Sequence, residues 1–241
     1  MVKGDTPHGV RISLSRAAWA LVATIKNAFV SDRRRYLKIR RGPARGALLY
    51  TSYRFGTRMV FGFYESELTP YVRRFVRRGD VCYDIGAADG YYGLAFARLA
   101  APGLVHCFDL DDGAVEQLRI SATRNAHLGS TISVHRVQIG AQHVDETHTS
   151  IDALVFERGY RVPNVMKLDV EGAELDVLRG AEHVLRKHRP RLIIEVHSLQ
   201  LETDCLELLR RLGYTATVVA NRAVMAEHAF RMGHNRWLCA E

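Results

Sequence analysis

From residue 81 onward the chain alternates between two hydrophobic periods. Short, largely β-branched apolar runs over 81–85, 104–108, 132–137, 165–170 and 192–196 have the length and composition of buried strands. Between them, 91–99, 114–125 and 173–187 carry apolar residues at helical spacing, as does 204–212 after the last run. This β-α-β-α rhythm predicts a mostly parallel sheet with helices on both faces. Two late runs, 215–220 and 236–240, are expected to close it as an antiparallel edge pair.

The region before residue 81 reads differently. Leu14, Ala18, Leu21, Ile25 and Phe29 recur at helical spacing, with Arg16, Lys26 and Asn27 off the stripe, which predicts an amphipathic helix. Its uncharged run, 17–25, is too short for a bilayer, which needs about 20 apolar residues, and no signal-type cleavage site follows it. A basic run, 33–41, comes next. The preferred reading is a helix packed on the main domain with a solvated basic connector; the alternative is a peripheral membrane contact or an anion-binding arm. After the Gly42-Pro43 break, the weak alternation over 47–64 suggests short strands or a hairpin. Ser66 is a candidate N-cap for a helix running toward Arg78. The organisation expected is thus an arm over 1–45 and one domain over 46–241.

Composition changes the picture in one respect. The 241 residues are 47% hydrophobic and 25% charged, ordinary for a globular chain, but the net charge of +8 is unevenly placed. Residues 1–80 hold seventeen basic and five acidic side chains, whereas 81–241 hold seventeen basic and twenty-one acidic. The alternating part is slightly acidic and the segment before it strongly basic. Four cysteines without a C-x-x-C pair argue for reduced buried thiols and a cytoplasmic protein.

The first strand of the alternating part delivers Asp84-Ile85-Gly86-Ala87-Ala88-Asp89-Gly90 to its carboxyl end, where ligands sit in such sheets. Counted from Gly86, a nicotinamide fingerprint would need glycine at Ala88 and Tyr91, so that pattern fails, as does the P-loop. What remains is a tight strand-to-helix turn with an acid two residues before its first glycine. Acids there suit a cationic ligand bearing an ammonium group and a ribose, which points to S-adenosylmethionine. Asp109 stands 23 residues after Gly86, near the offset expected for an acid that grips ribose hydroxyls.

The segment 164–181 contains K-x-D-V-E-G-x-E-x-x-V-L-x-G-A, from Lys167 to Ala181, and is followed by Ile194-Glu195-Val196-His197. Together they closely resemble the FkbM family of S-adenosylmethionine-dependent methyltransferases. Tyr64-Glu65, Thr149-Ser150-Ile151-Asp152 and Asn235-Arg236-Trp237-Leu238 support the likeness, which covers roughly residues 47–241. The resemblance implies an α/β fold with a Rossmann-like seven-strand sheet, and O-methylation of a sugar, glycan or secondary metabolite. Carried over by position, Asp84, Gly86, Ala87 and Gly90 would shape the methionine and ribose pocket, and Asp109 would bind the ribose hydroxyls. Here that acid is Asp where Glu is more usual, and Leu110 replaces a common proline. Gln138, at the end of the third core strand, is a weaker candidate for the adenine.

Methyl transfer from a sulfonium is an in-line displacement, so the protein must align the acceptor oxygen and remove its proton. Lys167, Asp169 and Glu171 alternate along one strand end, and Glu195 and His197 along the next, so each set is expected to share a side. His197 is the candidate base, oriented by Glu195 or Asp169. Glu171 and Glu174 read first as helix N-terminal acids, and Lys167 as a salt-bridge partner or a substrate contact. The same cluster could take a divalent metal, but metal-free histidine chemistry is preferred. Two rival functions remain: a nucleic-acid methyltransferase using the basic arm, and an inactive methyltransferase fold that binds a membrane surface. The first lacks the Asn/Asp-Pro-Pro-aromatic motif expected of base amino methylation and has an acidic pocket, so nucleic acid is disfavoured as a partner.

Overall fold

The computed structural model describes residues 32–221 and 234–241. The helix expected around Leu14 to Phe29 lies outside them. Strand β1 (Arg35–Lys38) pairs antiparallel with β2 (Leu48–Thr51), and helix α1 (Tyr53–Phe61) follows. A 3-10 turn over Ser66–Leu68 leads into α2 (Thr69–Phe75). The alternating part is β3 (Val81–Ile85), α3 (Tyr91–Leu99), β4 (Leu104–Asp109), α4 (Asp112–Thr123) and β5 (Thr131–Arg136). Then come a two-residue ribbon, β6 (Gln138–Ile139) with β7 (His148–Thr149), α5 (Ile151–Phe156), β8 (Val165–Leu168), α6 (Glu174–Arg179) and α7 (Glu182–His188). The last elements are β9 (Arg191–Val196), α8 (Leu199–Arg211), β10 (Ala216–Ala220) and β11 (Arg236–Ala240).

Seven strands form one sheet in the order β10-β11-β9-β8-β3-β4-β5. The five central and edge strands from β9 to β5 run parallel, and β11 alone is antiparallel, wedged between β9 and β10. The order reverses between β3 and β8, so a crevice opens beyond their carboxyl ends. Alternation along the strands splits the core in two. Tyr83, Ile85, Met166, Leu168 and Ile194 pack on one face with α5 to α8; Cys82, Val165, Ile193 and Trp237 pack on the other with α2, α3 and the β1–β2 hairpin.

The segment before residue 81 departs from the sequence reading. Only 48–51 of the stretch 47–64 is a strand, and its partner comes from upstream. The next nine residues are helical because Ser52 caps them by accepting from Phe55 N, and Gly62, at φ 76°, ends them. Gly56 is buried inside that helix. Glu65, not Ser66, precedes the following turn, and α2 stops at Phe75, short of Arg78. Within the arm drawn over 1–45, Leu37, Ile39 and Ala44 are buried in the core, so from β1 onward that stretch packs with the domain.

The helix expected over 173–187 is two helices. Gly180 lies against the Gly140 backbone, where a Cβ would come 2.0 Å from the Gly140 oxygen. Asp152 then starts the second helix by accepting from His183 N and Val184 N, both at 2.9 Å. The Thr-Ser-Ile-Asp segment is therefore structural: Ser150 caps α5 and Asp152 caps α7.

Candidate active site

The glycine turn is fixed by backbone. Gly86 N and Ala87 N both donate to the carbonyl of Phe108, at 2.9 and 3.1 Å, which ties the end of β3 to the end of β4. Gly86 has φ +75°, and a Cβ there would lie 1.8 Å from the Asp169 carbonyl oxygen, so only glycine lets the two loops at the switch point meet. Asp109 completes the turn: one carboxylate oxygen accepts from Ala88 N at 2.8 Å and the other from Asp111 N at 2.9 Å. A carboxylate offers about four lone-pair positions, so acceptor capacity remains for hydroxyl groups.

Gly86, Asp109 and Gln138 line one cleft of about 270 Å³, together with Phe108, Asp169 and Val170. Gln138 reaches it from the β6–β7 ribbon, just beyond β5. Gly90 does not line it. A Cβ on Gly90 would lie 2.8 Å from Leu118 Cγ, so this glycine serves the packing of α3 on α4. Ala87 is buried in the core, and Asp84 sits beneath the turn with no solvent exposure. Among the described residues no side chain hydrogen-bonds the Asp84 carboxyl; Gly93 of α3 lies against it. Burial pushes Asp84 up to about 7, with Lys167 pulling the other way. A larger open groove of about 890 Å³ lies at the opposite ends of β4 and β5, lined by Ala122, Ala126 and Ile132, away from this chemistry.

Beside the cleft, on the α3 face of the sheet, the expected catalytic residues gather. Lys167 is cross-strand neighbour to Asp84 and is 2% exposed; its Nζ lies 2.9 Å from Asp169 Oδ2 and over the rings of Tyr92 and Trp237, at 4.9 and 5.6 Å. Burial disfavours the ammonium, but Asp169, Asp84 and Glu65 together raise Lys167 above its ordinary value. Burial opposes the Asp169 charge as well, but Lys167, a hydrogen bond with Glu195 and the nearby His197 together hold Asp169 low. Glu195, paired across the strands with Trp237, is held well above the carboxylate range by burial and by Asp169. Asp169 is thus the charged member and Glu195 the proton-bearing one.

His197 follows β9 directly. Its Nδ1 lies 3.5 Å from Oε1 of Glu174, and its Nε2 lies 3.8 Å from Glu171 and 3.9 Å from Glu195. Glu174 raises the imidazole, partial burial opposes it, and Asp169 and Glu171 add to the rise. The carboxylate nearest Nδ1 is therefore Glu174, at ion-pair distance, where Glu195 or Asp169 was expected. Glu174 also accepts from Val170 N and Gly172 N, which holds the loop after β8 in shape. That loop ends β8 at Leu168, two residues early, and gives Glu171 a φ of +53°; its side chain is 76% exposed, out of line with Lys167 and Asp169.

Asp169, Glu195 and His197 each bring a donor atom within 4.8 Å of the others, a set that could hold a cation. The Lys167 ammonium already supplies positive charge at Asp169.

The family model of the methyltransferase FkbM domain matches residues 101–231, more than half of the chain. The chain belongs to the FkbM methyltransferase family. The fold of this FkbM domain is similar to that of an FkbM methyltransferase from Methylobacillus flagellatus KT, at TM-score 0.52 and 19% identity over 67% of this chain and 43% of that one. It spans under half the length of that relative. A SAM-dependent O-methyltransferase from Thermotoga maritima aligns at TM-score 0.53 and 13% identity, covering 73% of this chain and 63% of that one. Aeropyrum pernix fibrillarin, solved with natively bound S-adenosyl-L-methionine, aligns at 0.50 and 11%, covering 69% and 68%. None of the curated proteins compared with the chain matches it.

Sequence reasoning missed two contributors to the FkbM site. One is the pairing of Glu174 with His197, because it depends on a loop that brings a helix residue back to a strand end. The other is the wall formed by Tyr64, Glu65 and Tyr92. Glu65 takes φ +42°, and burial pushes it up to about 7 against Lys167. The Tyr64 ring packs 5.2 Å from Tyr91 and 6.4 Å from Tyr92. The family likeness at Tyr64-Glu65 was the available signal.

Proposed function

We propose that the chain transfers the methyl group of S-adenosylmethionine to a hydroxyl oxygen of a sugar, glycan or secondary-metabolite acceptor. The observation that carries this reading is His197, with Nδ1 against a buried carboxylate and Nε2 toward Glu171 and Glu195, beside the Gly86–Asp109 cleft. When bound, S-adenosylmethionine supplies an electrophilic methyl group on a sulfonium. The cleft suits it: the Gly86 cradle admits no Cβ, Asp109 keeps free acceptor positions, and the buried Asp84 carboxyl beneath the turn adds to the acidic surroundings that suit a cation.

His197 Nε2 takes the acceptor's proton, and Glu174 stabilises the imidazolium that results. Glu195, carrying its own proton, and Asp169, paired with Lys167, bound the acceptor side and fix its orientation. Four free buried cysteines fit a reducing, cytoplasmic compartment. The decisive experiment is incubation with S-adenosylmethionine and a panel of hydroxylated acceptors, read by product mass. A gain of one methylene unit by a hydroxyl acceptor is expected. With His197→Ala, cofactor binding should persist and turnover should fall by about 10²–10⁴-fold; an unchanged rate would remove His197 from the reaction.

A further inference from the structure

Residues 33–64 contain nine arginine or lysine side chains and no aspartate or glutamate. In the structure they are folded: β1 lies along α1, with Arg40 N donating to the Val60 carbonyl at 2.7 Å and the Arg35 guanidinium over the Tyr53 ring. Their apolar members divide in two. Leu37, Ile39, Leu49 and Val60 are buried, whereas Phe55 is 62% exposed and Phe61 and Phe63 are each 46% exposed. Lys38, Arg40, Arg41 and Arg45, from the strand and turn that pack along α1, are exposed as well. A soluble surface seldom presents three exposed phenylalanines on and just after one nine-residue helix, and the excess of basic over acidic side chains around them, with Asp32 paired to Arg54, narrows the partner further.

We infer that the α1 face, Phe55, Phe61 and Phe63 with Lys38 and Arg40, docks the protein on an anionic phospholipid bilayer. Phenylalanine rings enter the headgroup–acyl boundary, while lysine and arginine stay at the charged headgroups; the two together are the composition of an interfacial element. Among the described residues no helix is long and apolar enough to cross a membrane, so the contact is peripheral. The position gives the contact a purpose. The same segment runs directly into Tyr64 and Glu65, and Gly42 lies against the Tyr91 hydroxyl, so the docking face borders the acceptor side of the site. This last point rests on the proposed reaction; the docking itself does not.

The test is flotation of the full chain with phosphatidylcholine vesicles, with and without phosphatidylserine, alongside the variants F55A/F61A/F63A and K38E/R40E. Binding should require phosphatidylserine, weaken with added salt, and fall by at least about tenfold in each variant, since each basic residue near the surface contributes about 1 kcal/mol. All three proteins should bind S-adenosylmethionine alike by calorimetry, which shows that the variants are folded and keeps this outcome separate from that of the proposed reaction. Equal flotation of wild type and variants, equal recovery on neutral vesicles, or preferential capture by single-stranded RNA at the same salt would each overturn the inference.

Discussion

Nδ1 of His197 lies 3.5 Å from Oε1 of Glu174, a carboxylate with no exposure to solvent. The imidazolium is stabilised, so the base is free only at a pH above its raised value. The methyl-transfer rate should therefore rise with pH, with a midpoint on the alkaline side of the ordinary histidine value. Glu174→Gln keeps the shape and an acceptor for Val170 N and Gly172 N but removes the charge, so the midpoint should move toward acid. A pH profile of kcat/KM for both proteins checks this, and coincident midpoints would dissociate Glu174 from the base.

Asp84 and Asp109 should separate in their effects on cofactor binding. Asp109→Ala removes a charged acceptor and is expected to weaken S-adenosylmethionine by about 10–100-fold, or about 1.5–3 kcal/mol. Asp84, raised to about 7, should lose its proton when a cation binds above it. Near neutral pH the binding heat should then depend on the ionisation enthalpy of the buffer in wild type, and cease to do so in Asp84→Asn. Calorimetry in two buffers reads both effects.

Two glycines with positive φ make a controlled comparison. A Cβ at Gly172 meets nothing within 4 Å, so Gly172→Ala should cost only backbone strain, about 1–3 kcal/mol. Gly86→Ala adds a collision with the Asp169 carbonyl and should cost clearly more, together with cofactor affinity. Urea unfolding of both variants decides it; equal midpoints would mean that the close approach of the two loops is not a constraint.

The strands were legible because buried strands are continuous apolar runs, whether parallel like β3 or antiparallel like β11: both match the sequence expectation at both ends, and Asp84, Lys167 and Glu195 fall on the face that alternation gives them. The turn glycines were legible as a loop, but not in their separate tasks. Whether Gly90 faces a ligand or Leu118 depends on a helix arriving from elsewhere in the chain. For the same reason the sequence favoured Glu195 over Glu174 as the partner of His197: strand periodicity places Glu195 and His197 on one side, and only the folded loop after β8 carries Glu174 underneath. The helix α1 was missed because a weak apolar–polar alternation over 47–64 outweighed its own boundary signals, the Ser52 cap and the Gly62 stop.

Away from the site, His106 Nδ1 and His135 Nε2 lie 2.9 Å apart, packed against Phe108 and Tyr160. Burial and His135 hold His106 down at about 4, and His135 is lowered by burial and by Arg119. The unfolded chain takes up these protons near pH 6.5, and the folded chain resists until lower pH. The stability they contribute is complete above the unfolded value and is lost as pH falls from there toward about 4. Unfolding midpoints measured across that range should drop steeply for the wild type and less for His106→Phe; parallel curves would place the acid sensitivity elsewhere.

Strand β11 fills the gap between β9 and β10, although both are made before it on the ribosome. Until residues 236–240 have been synthesised, β9 has an unpaired edge, and Lys167 lacks Trp237 beside it. The sheet can therefore grow outward from β3 during synthesis but cannot close, and the polar cluster around Lys167 is completed by one of the last pairings to form. A nascent chain stalled ahead of this strand would carry an open β9 edge, the kind of unpaired edge on which chains associate.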